Sequence, residues 1–447
     1  MARALNPRDA ELSRRPETLI RGIGVRQLTA SIVNCTVGAG IFLLPALVAQ
    51  GLGAAAPVAY LICGAFMALI VTTFAIAGSR VSATGGLFVY VETAFGPFVG
   101  FLAGTLQWLA AVLAAGGVSI ALLDALSVVW PAFNAEAVRL ATLALMLGGL
   151  AAINVRGVRA GARTIEFLTV AKLLPLACFI VLGAFAVHPS SLAWPGMPPP
   201  TALGRAVLLI FFAFAGIEVA LTPSGEVKDP ASTVPRSIFS ALAFTTTLYV
   251  AIQVVAQGVL GPELALHTQA PIADASSRFI GRAGATVILA GTLISMLGYV
   301  SGDMLGSPRN LYAFGRDGFL PAAFARVHPT ALTPRLAIWT HAMLVFAVAS
   351  SGTFQFVAIV TNVCTLTLYM LCCVASMFLM RRDVRADGEP FVIRGATAIA
   401  VGAMVAIVVM LSSATFKEFA ATGAMLVVAS LIYPLRRQRL SHTAAVT

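Results

Sequence analysis

Charged side chains are scarce in this sequence. Of its 447 residues, 11% are charged and 59% are hydrophobic, whereas soluble domains average about 25% charged residues. The apolar residues form runs near the roughly 20 that a helix needs to cross a bilayer, and the alternating segments of about ten residues typical of a membrane β-barrel are missing. The composition therefore predicts an all-α polytopic membrane protein.

Motifs for metal, redox and hydrolytic chemistry are missing as well. The six cysteines all fall in predicted spans and form no CxxC pattern, and the five histidines show no metal-ligand spacing. Neither HExxH nor the GxSxG elbow occurs, and nothing resembles ATP-binding machinery. We therefore expect no enzyme, no metal site and no cofactor.

Twelve membrane spans are expected from the hydrophobic runs. The first is too long for the core of a signal peptide, and no cleavage site of small residues follows it. The expected spans are 28–50, 54–79, 97–126, 136–153, 164–187, 203–223, 236–260, 283–306, 333–351, 353–379, 396–414 and 416–435.

Basic residues exceed acidic ones by 29 to 18, and their placement explains the excess. With both termini in the cytoplasm, the expected cytoplasmic segments hold 23 of the 29 Lys and Arg, which is the positive-inside pattern. The pattern predicts that both termini are cytoplasmic, in an integral protein that we expect in a bacterial-type cytoplasmic (inner) membrane. Its basic surface favours anionic lipid headgroups as partners and does not indicate nucleic acid.

One expected span is interrupted where a lipid-facing helix has little use for an interruption. The stretch "NCTVGAGIFLLP" (34–45) holds Gly38, Gly40 and Pro45. Glycine permits local unwinding, but unwound backbone in a membrane must be buried in protein or line a wet cavity. Alternatively, both glycines permit close packing against another helix. Spacing alone leaves both readings open.

A similar Gly-Ile step occurs five spans later, in "FFAFAGIE" (211–218). An odd number of spans per repeat inverts the second repeat, and interrupted spans at matching places in two halves indicate a transporter binding site. Freed amides at the start of a half-helix attract a carboxylate, and freed carbonyls attract an ammonium. A zwitterion would fit both.

Five ordered motifs resemble those of the amino acid–polyamine–organocation superfamily of transporters. They are "VGAGIFLLP" (37–45), "FFAFAGIEVA" (211–220), "SGEVKDPASTVPRSI" (224–238), "SPRNLYAFGRDGFLP" (307–321) and "TPRLAI" (333–338). Their order and spacing agree with that family across roughly the first 380 residues, and the last two spans are generic.

The resemblance implies a LeuT-type fold with two inverted five-helix repeats and broken helices one and six. The ten-helix transport core would occupy 28–380, with repeats at about 28–187 and 203–380. Two additional spans would follow at 395–435, between cytoplasmic tails at 1–27 and 436–447. It also implies alternating-access transport of amino acids or related amines.

The resemblance further implies the ligands of the substrate. Amides around Gly38, Ala39 and Gly40 would hold its carboxylate, and Ala39 replaces a serine that many relatives carry. Carbonyls near Thr36, Phe212 and Ala215, beside Gly216, would hold its amino group, with Phe212 at the outer-gate position.

Small residues of the third span would line the same region by resemblance. Ala111, Ala115 and Gly116 would leave room without a charged partner, which favours neutral side chains or broad selectivity. Tight packing between helices is the alternative.

Two charged residues are candidates for coupling. Lys172 resembles the lysine that stands in for sodium in sodium-independent members, and a buried amine gives up its proton more readily than one in water. Snorkelling to the inner interface is the alternative, although Lys172 lies about nine residues, about 13 Å, beyond Arg163. Glu218 would either exchange a proton or bond the unwound backbone.

Two further acids lie near span ends. We expect Asp303, six residues before Arg309, to form an interface ion pair, and Asp124 to lie at the outer surface. Either residue would favour cationic substrates if it faced the substrate path.

The favoured function is secondary transport of amino acids, sodium-independent and proton-coupled. Exchange or export of amino acids or polyamines is the alternative within the family, and a substrate sensor or channel on the same scaffold is the alternative outside it. The sequence does not specify the substrate, the stoichiometry or the oligomeric state.

Overall fold

The structure is a computed structural model that describes residues 23–444, except for 82–85, 157–161, 195, 219–226, 329–330, 332 and 386–388. Most of the N-terminal tail expected at 1–27 lies outside the described residues, as does the expected sixth span from 219 onward. Residues 224–226 of one motif and residues 445–447 of the C-terminal tail also lie outside them.

Helices form nearly all of the described chain. The first eight are α1 Val25–Thr36, α2 Gly40–Leu52, α3 Ala56–Gly78, α4 Leu87–Phe95, α5 Pro97–Val129, α6 Glu136–Val155, α7 Ala162–Gly183 and α8 Pro200–Phe214. The next eight are α9 Pro230–Leu260, α10 Pro271–Ser277, α11 Gly281–Gly306, α12 Pro308–Arg316, α13 Arg335–Ser351, α14 Phe354–Arg381, α15 Ala396–Leu411 and α16 Phe416–Ala444. Helix α16 therefore continues past residue 436, where we expected the C-terminal tail to begin.

Proline and glycine set many of these helix ends. Proline fits the first turn because that turn needs no amide donor, and it opens α5, α8, α9, α10 and α12. Glycine with positive φ ends α4 at Gly96 and α9 at Gly261. These end signals can be read directly from the sequence.

Six helical stretches are long and apolar enough to cross a membrane, or seven if the bent pair α15 and α16 counts as one crossing, among the described residues. One of the six, Gly40–Gly78, contains both α2 and α3. Three further apolar helices are shorter than 18 residues, and they are Lys172–Ala186, Pro200–Phe214 and Arg335–Ser351. The structure is thus a helical membrane protein with at least six apolar stretches of spanning length.

Helix α5 lies at the centre of the packing. It contacts α14, α11 and α13, while α9 packs against α3 and α1, and α2 packs against α8. Large side chains that are fully buried fill the space between them, among them Tyr60, Tyr249, Tyr369, Phe42 and Phe211. This arrangement brings the interrupted helices, which are α1–α2 and α8, to the interior.

Candidate functional site

Two helix interruptions face each other in the interior. Helix α1 ends at Thr36 and α2 begins at Gly40, so the interruption expected there is present. Helix α8 ends at Phe214, after which Ala215 is extended (φ −62°, ψ 143°) and Gly216 has a φ of +106°. Both interruptions leave backbone groups without partners in their own helix.

The glycines at these interruptions differ in what they permit. A Cβ on Gly216 would lie 2.8 Å from the Cys35 carbonyl oxygen, so the two interruptions touch there. A Cβ on Gly40 would lie 3.1 Å from Cα of Ala213. A Cβ on Gly38 would meet only ordinary contacts, the nearest at 3.8 Å from Cδ2 of Tyr299. Close packing, one of the two readings of "VGAGIF", thus applies to Gly40 but not to Gly38.

A tyrosine hydroxyl bridges the two interruptions. The hydroxyl of Tyr249 in α9 lies 2.9 Å from the carbonyl oxygens of both Thr36 and Ala213. A hydroxyl has one proton to donate, so it serves one carbonyl at a time. Sequence reasoning missed Tyr249 because it lies in a span without a motif, more than 200 residues after Thr36.

The expected substrate ligands are only partly free. The Gly38 amide donates to the Thr36 carbonyl at 2.8 Å, so both groups already have a partner. The Thr36 hydroxyl is buried and has no hydrogen-bond partner among the described residues. The backbone around Ala39 and Gly40 begins α2, where the first amides have no acceptor within the helix.

Phe212, the residue expected at the outer gate, packs against two neighbouring helices. Its side chain is buried, and its ring meets that of Phe354 edge to face at a centroid distance of 5.4 Å. A Cβ on Gly40 would lie 3.2 Å from its Cδ1. Phe212 therefore closes the space between α2, α8 and the start of α14.

Lys172 reaches the first interruption instead of the membrane interface. Its side chain is 8% exposed, and its Nζ donates to the Asn34 carbonyl oxygen in the last turns of α1. The snorkelling alternative does not describe this position. The ammonium lies beside backbone carbonyls, where a cation is favoured at a helix C-terminus.

Glu218 bonds the second interruption. Its Oε2 accepts hydrogen bonds from the Gly216 amide at 2.8 Å and from the Tyr369 hydroxyl at 2.5 Å. The bond to unwound backbone that one reading expected is therefore present. Tyr369, in α14, was not singled out from the sequence, and its ring packs edge to face on Phe74.

The small residues singled out in the third predicted span, α5, differ in their surroundings. Ala115 is fully buried and Ala111 is half-buried, but a Cβ on Gly116 would lie 2.5 Å from Cγ1 of Val348 in α13. Successive helical residues point about 100° apart, so Gly116 faces α13 while Ala115 faces elsewhere. Gly116 therefore packs closely against α13.

The two other acids have different partners. Asp124 pairs with Arg139 at 2.7 Å, with side chains 31% and 25% exposed. The expected pairing of Asp303 with Arg309 was wrong, because Asp303 pairs with His341 at 2.7 Å and Arg309 donates to the Leu305 carbonyl. In the part of the chain that the structure describes, no cluster of three His, Cys, Asp or Glu could hold a metal ion.

Paired helix interruptions inside a helical membrane protein are typical of membrane transporters. Comparison with known proteins agrees, since a family described as amino acid permease matches residues 23–435. This chain belongs to the amino acid permease family and is a transporter, not an enzyme.

Several relatives match along most of their length. The methylthioribose transporter of Bacillus subtilis is 27% identical, covering 84% of this chain and 85% of that protein. The serine/threonine exchanger SteT of the same organism is 28% identical, covering 72% and 74%. Its branched-chain amino acid permease BcaP is 24% identical, covering 82% of each.

Proposed function

We propose that this chain moves amino acids across the cytoplasmic membrane by alternating access, independently of sodium and with proton coupling. The observation that carries the proposal is the contact between the two interruptions, where Gly216 touches Cys35. Unwound backbone is tolerated inside a membrane only when it is buried or lines a cavity, and half-helix ends supply charge complementarity to both ends of a zwitterion.

The substrate carboxylate would lie at the start of α2. The amides near Ala39 and Gly40 lie at the start of that half-helix, which is the positive end of its dipole, and the unpaired Thr36 hydroxyl adds a donor. The Gly38 amide would take part only after releasing Thr36.

The substrate amino group would lie at the end of α8. The carbonyls near Phe212 and Ala215, beside Gly216, lie at the end of that half-helix, which is the negative end of its dipole. Phe212 would cover the bound headgroup from outside. Ala111 and Ala115 of α5 would leave room for an uncharged side chain.

Lys172 and Glu218 would perform the coupling. The Lys172 ammonium contacts the carbonyl of Asn34, where a bound sodium ion would otherwise neutralise backbone oxygens. Glu218 contacts the other interruption through Gly216. A proton gained or lost at either side chain would change the electrostatics of one interruption.

The proposed architecture is the LeuT-type fold with twelve spans, inverted repeats and both termini in the cytoplasm of a bacterial-type inner membrane. Interruption of α1–α2 and of α8 supports it, because these lie five predicted spans apart. Anionic lipid would contact the basic cytoplasmic loops.

Exchange is the second candidate, because the relative SteT is named as an exchanger. The relative named as a methylthioribose transporter raises a further substrate, which carries neither a carboxylate nor an amine. Such a substrate would leave the half-helix ends without charged partners. We therefore favour an amino acid headgroup.

Uptake of a labelled amino acid panel into proteoliposomes tests the proposal. A proton gradient with the interior alkaline should stimulate saturable uptake, and replacing sodium should leave it unchanged. Lys172→Ala should abolish stimulation, whereas Lys417→Ala, which changes an exposed lysine of α16, should not. Uptake only into preloaded vesicles would establish exchange, and a strict sodium requirement would contradict the proposal.

A further inference from the structure

A chain of hydrogen bonds joins three helices outside the candidate site. Nε1 of Trp108 in α5 lies 3.3 Å from Nδ1 of His341 in α13. Nε2 of the same imidazole lies 2.7 Å from Oδ2 of Asp303 in α11, and the Ser307 hydroxyl donates to the other carboxylate oxygen. The His341 side chain is fully buried and that of Asp303 is 6% exposed.

These bonds assign the imidazole tautomer. An indole N–H can only donate, so Nδ1 of His341 accepts from Trp108 and carries no proton. The imidazole proton is therefore on Nε2 and is donated to Asp303, which also accepts from Ser307 and is thus a carboxylate. In this arrangement the pair is a neutral imidazole beside a charged carboxylate.

The pair consequently holds one negative charge, and no basic side chain in the described part of the chain balances it. Among the described residues, the ion pair of Asp303 is with His341. Tyr299, one turn earlier in α11, lies within electrostatic range of Asp303. The other charged groups of the surrounding helices either have partners elsewhere or lie near helix ends. Those with partners are Asp124, Arg139, Lys172, Arg309 and Arg316, and those near helix ends are Glu136, Arg282 and Arg335.

A proton on Nδ1 would remove this imbalance. It would create an imidazolium beside the carboxylate, and an isolated charge inside a membrane is costly. The same proton would end the hydrogen bond from Trp108, because two N–H donors cannot bond each other. Protonation of His341 would therefore balance the charge of Asp303, but it would break the hydrogen bond from Trp108 in α5 to His341 in α13.

The geometry points to Nδ1 of His341 as a proton-binding site that is separate from Lys172 and Glu218. Whether this nitrogen carries a proton sets whether the hydrogen bond from Trp108 in α5 to His341 in α13 can form. The inference rests on the proposed function, since it assigns a second site to proton coupling. Asp303 stabilises the protonated form and Trp108 stabilises the neutral form.

The site is linked to the first helix interruption through Tyr299. Tyr299 is one turn from Asp303 on α11, and its Cδ2 would be the nearest neighbour of a Cβ on Gly38. Ala111 of α5 follows Trp108 by about one turn. Protonation of His341 therefore acts on two helices that border the proposed substrate site.

Nitrogen NMR of the full chain in lipid nanodiscs, labelled with ¹⁵N-histidine, tests the site directly. His341→Gln assigns the signals, because a glutamine can keep both hydrogen bonds but has no titratable nitrogen. We expect Nδ1 of His341 to lack a proton while it accepts from Trp108 and to gain one as the pH is lowered. A signal that stays unchanged as the pH is lowered would overturn the inference.

Two variants should move the titration in opposite directions. Trp108→Phe removes the donor to Nδ1 and should move the midpoint up by about one pH unit. Asp303→Asn removes the carboxylate and should move it down by about the same amount or more. The matched control is His267, whose Nδ1 lies 2.8 Å from Asp274 in a half-exposed pair, and neither variant should alter its signals. An unmoved His341 midpoint in Trp108→Phe would overturn the assigned role of Trp108.

Transport assays separate this inference from the proposed function. If uptake is proton-driven, His341→Gln should flatten its pH profile while saturable uptake persists, and His267→Gln should leave the profile unchanged. An unchanged profile in His341→Gln would overturn the coupling role of the site. Uptake that ignores the proton gradient in the unmodified protein would contradict the proposed coupling, whereas the NMR titration would still decide whether the proton site exists.

Discussion

The two helix interruptions use glycine for different reasons. The first spans Val37–Ala39 and closes through the bond from the Gly38 amide to Thr36, without positive φ. The second depends on Gly216, which has a φ of +106°. A Cβ added to Gly216 would lie 2.8 Å from the Cys35 carbonyl oxygen. Backbone and space both require glycine at 216, space alone requires it at 40, and neither requires it at 38.

Gly216→Ala should have the largest effect. An alanine there would meet the Cys35 carbonyl and would occupy a conformation that disfavours a side chain by about 1–2 kcal/mol before any clash. We expect loss of folded protein in detergent or, if it folds, loss of uptake. Measurement of thermal unfolding and uptake checks this, and a variant as stable and active as the parent would contradict the close contact between the interruptions.

Gly40→Ala should have the second largest effect. The added methyl would lie 3.1–3.2 Å from Ala213 and Phe212, and overpacking of this kind costs about 1–3 kcal/mol. We expect a lower unfolding temperature and reduced uptake. The comparison with Gly216 would fail if Gly40→Ala were the more damaging change.

Tyr249→Phe should have an intermediate effect on uptake, because the Tyr249 hydroxyl contacts both interruptions. The change removes the hydroxyl that donates to the Thr36 and Ala213 carbonyls, and a lost buried hydrogen bond costs about 1–2 kcal/mol. Uptake should weaken mainly through substrate affinity, seen as a higher KM. Tyr60→Phe, a buried tyrosine whose hydroxyl has no partner among the described residues, provides the matched control and should be nearly neutral.

Gly38→Ala should have the smallest effect on stability. Its Cβ would make only ordinary contacts at 3.8 Å and 4.0 Å, so the change in unfolding free energy should stay within about 0.5 kcal/mol. Chemical unfolding of the purified variant measures this. A loss as large as that of Gly40→Ala would mean that the first interruption needs glycine for its backbone.

The positions of the interruptions could be predicted from the sequence. Glycine within an apolar run is a local signal, and the chain is interrupted at Gly38 and Gly216, where "VGAGIF" and "FFAFAGIE" indicated. The direction of the Lys172 side chain was also one of the expected alternatives, because its depth argued against snorkelling.

The partners of these residues could not be predicted. Tyr249 and Tyr369 join the site through contacts across more than 100 residues, and no local pattern specifies such contacts. The expected pair of Asp303 and Arg309 relied on nearness in sequence, but helical residues face each other at spacings of three or four. His341, 38 residues after Asp303, is brought to it by the packing of α13 on α11.

The substrate headgroup is the central claim, and competition by analogues tests it most directly. Labelled uptake would be measured against the unlabelled parent amino acid, its methyl ester, its decarboxylated amine and its 2-hydroxy acid. The paired half-helix ends predict that each analogue competes at least about 10-fold more weakly than the parent, since a hydrogen bond to a charged group contributes about 1.5–3 kcal/mol. Equal competition by the analogues would contradict a zwitterion site between the two interruptions.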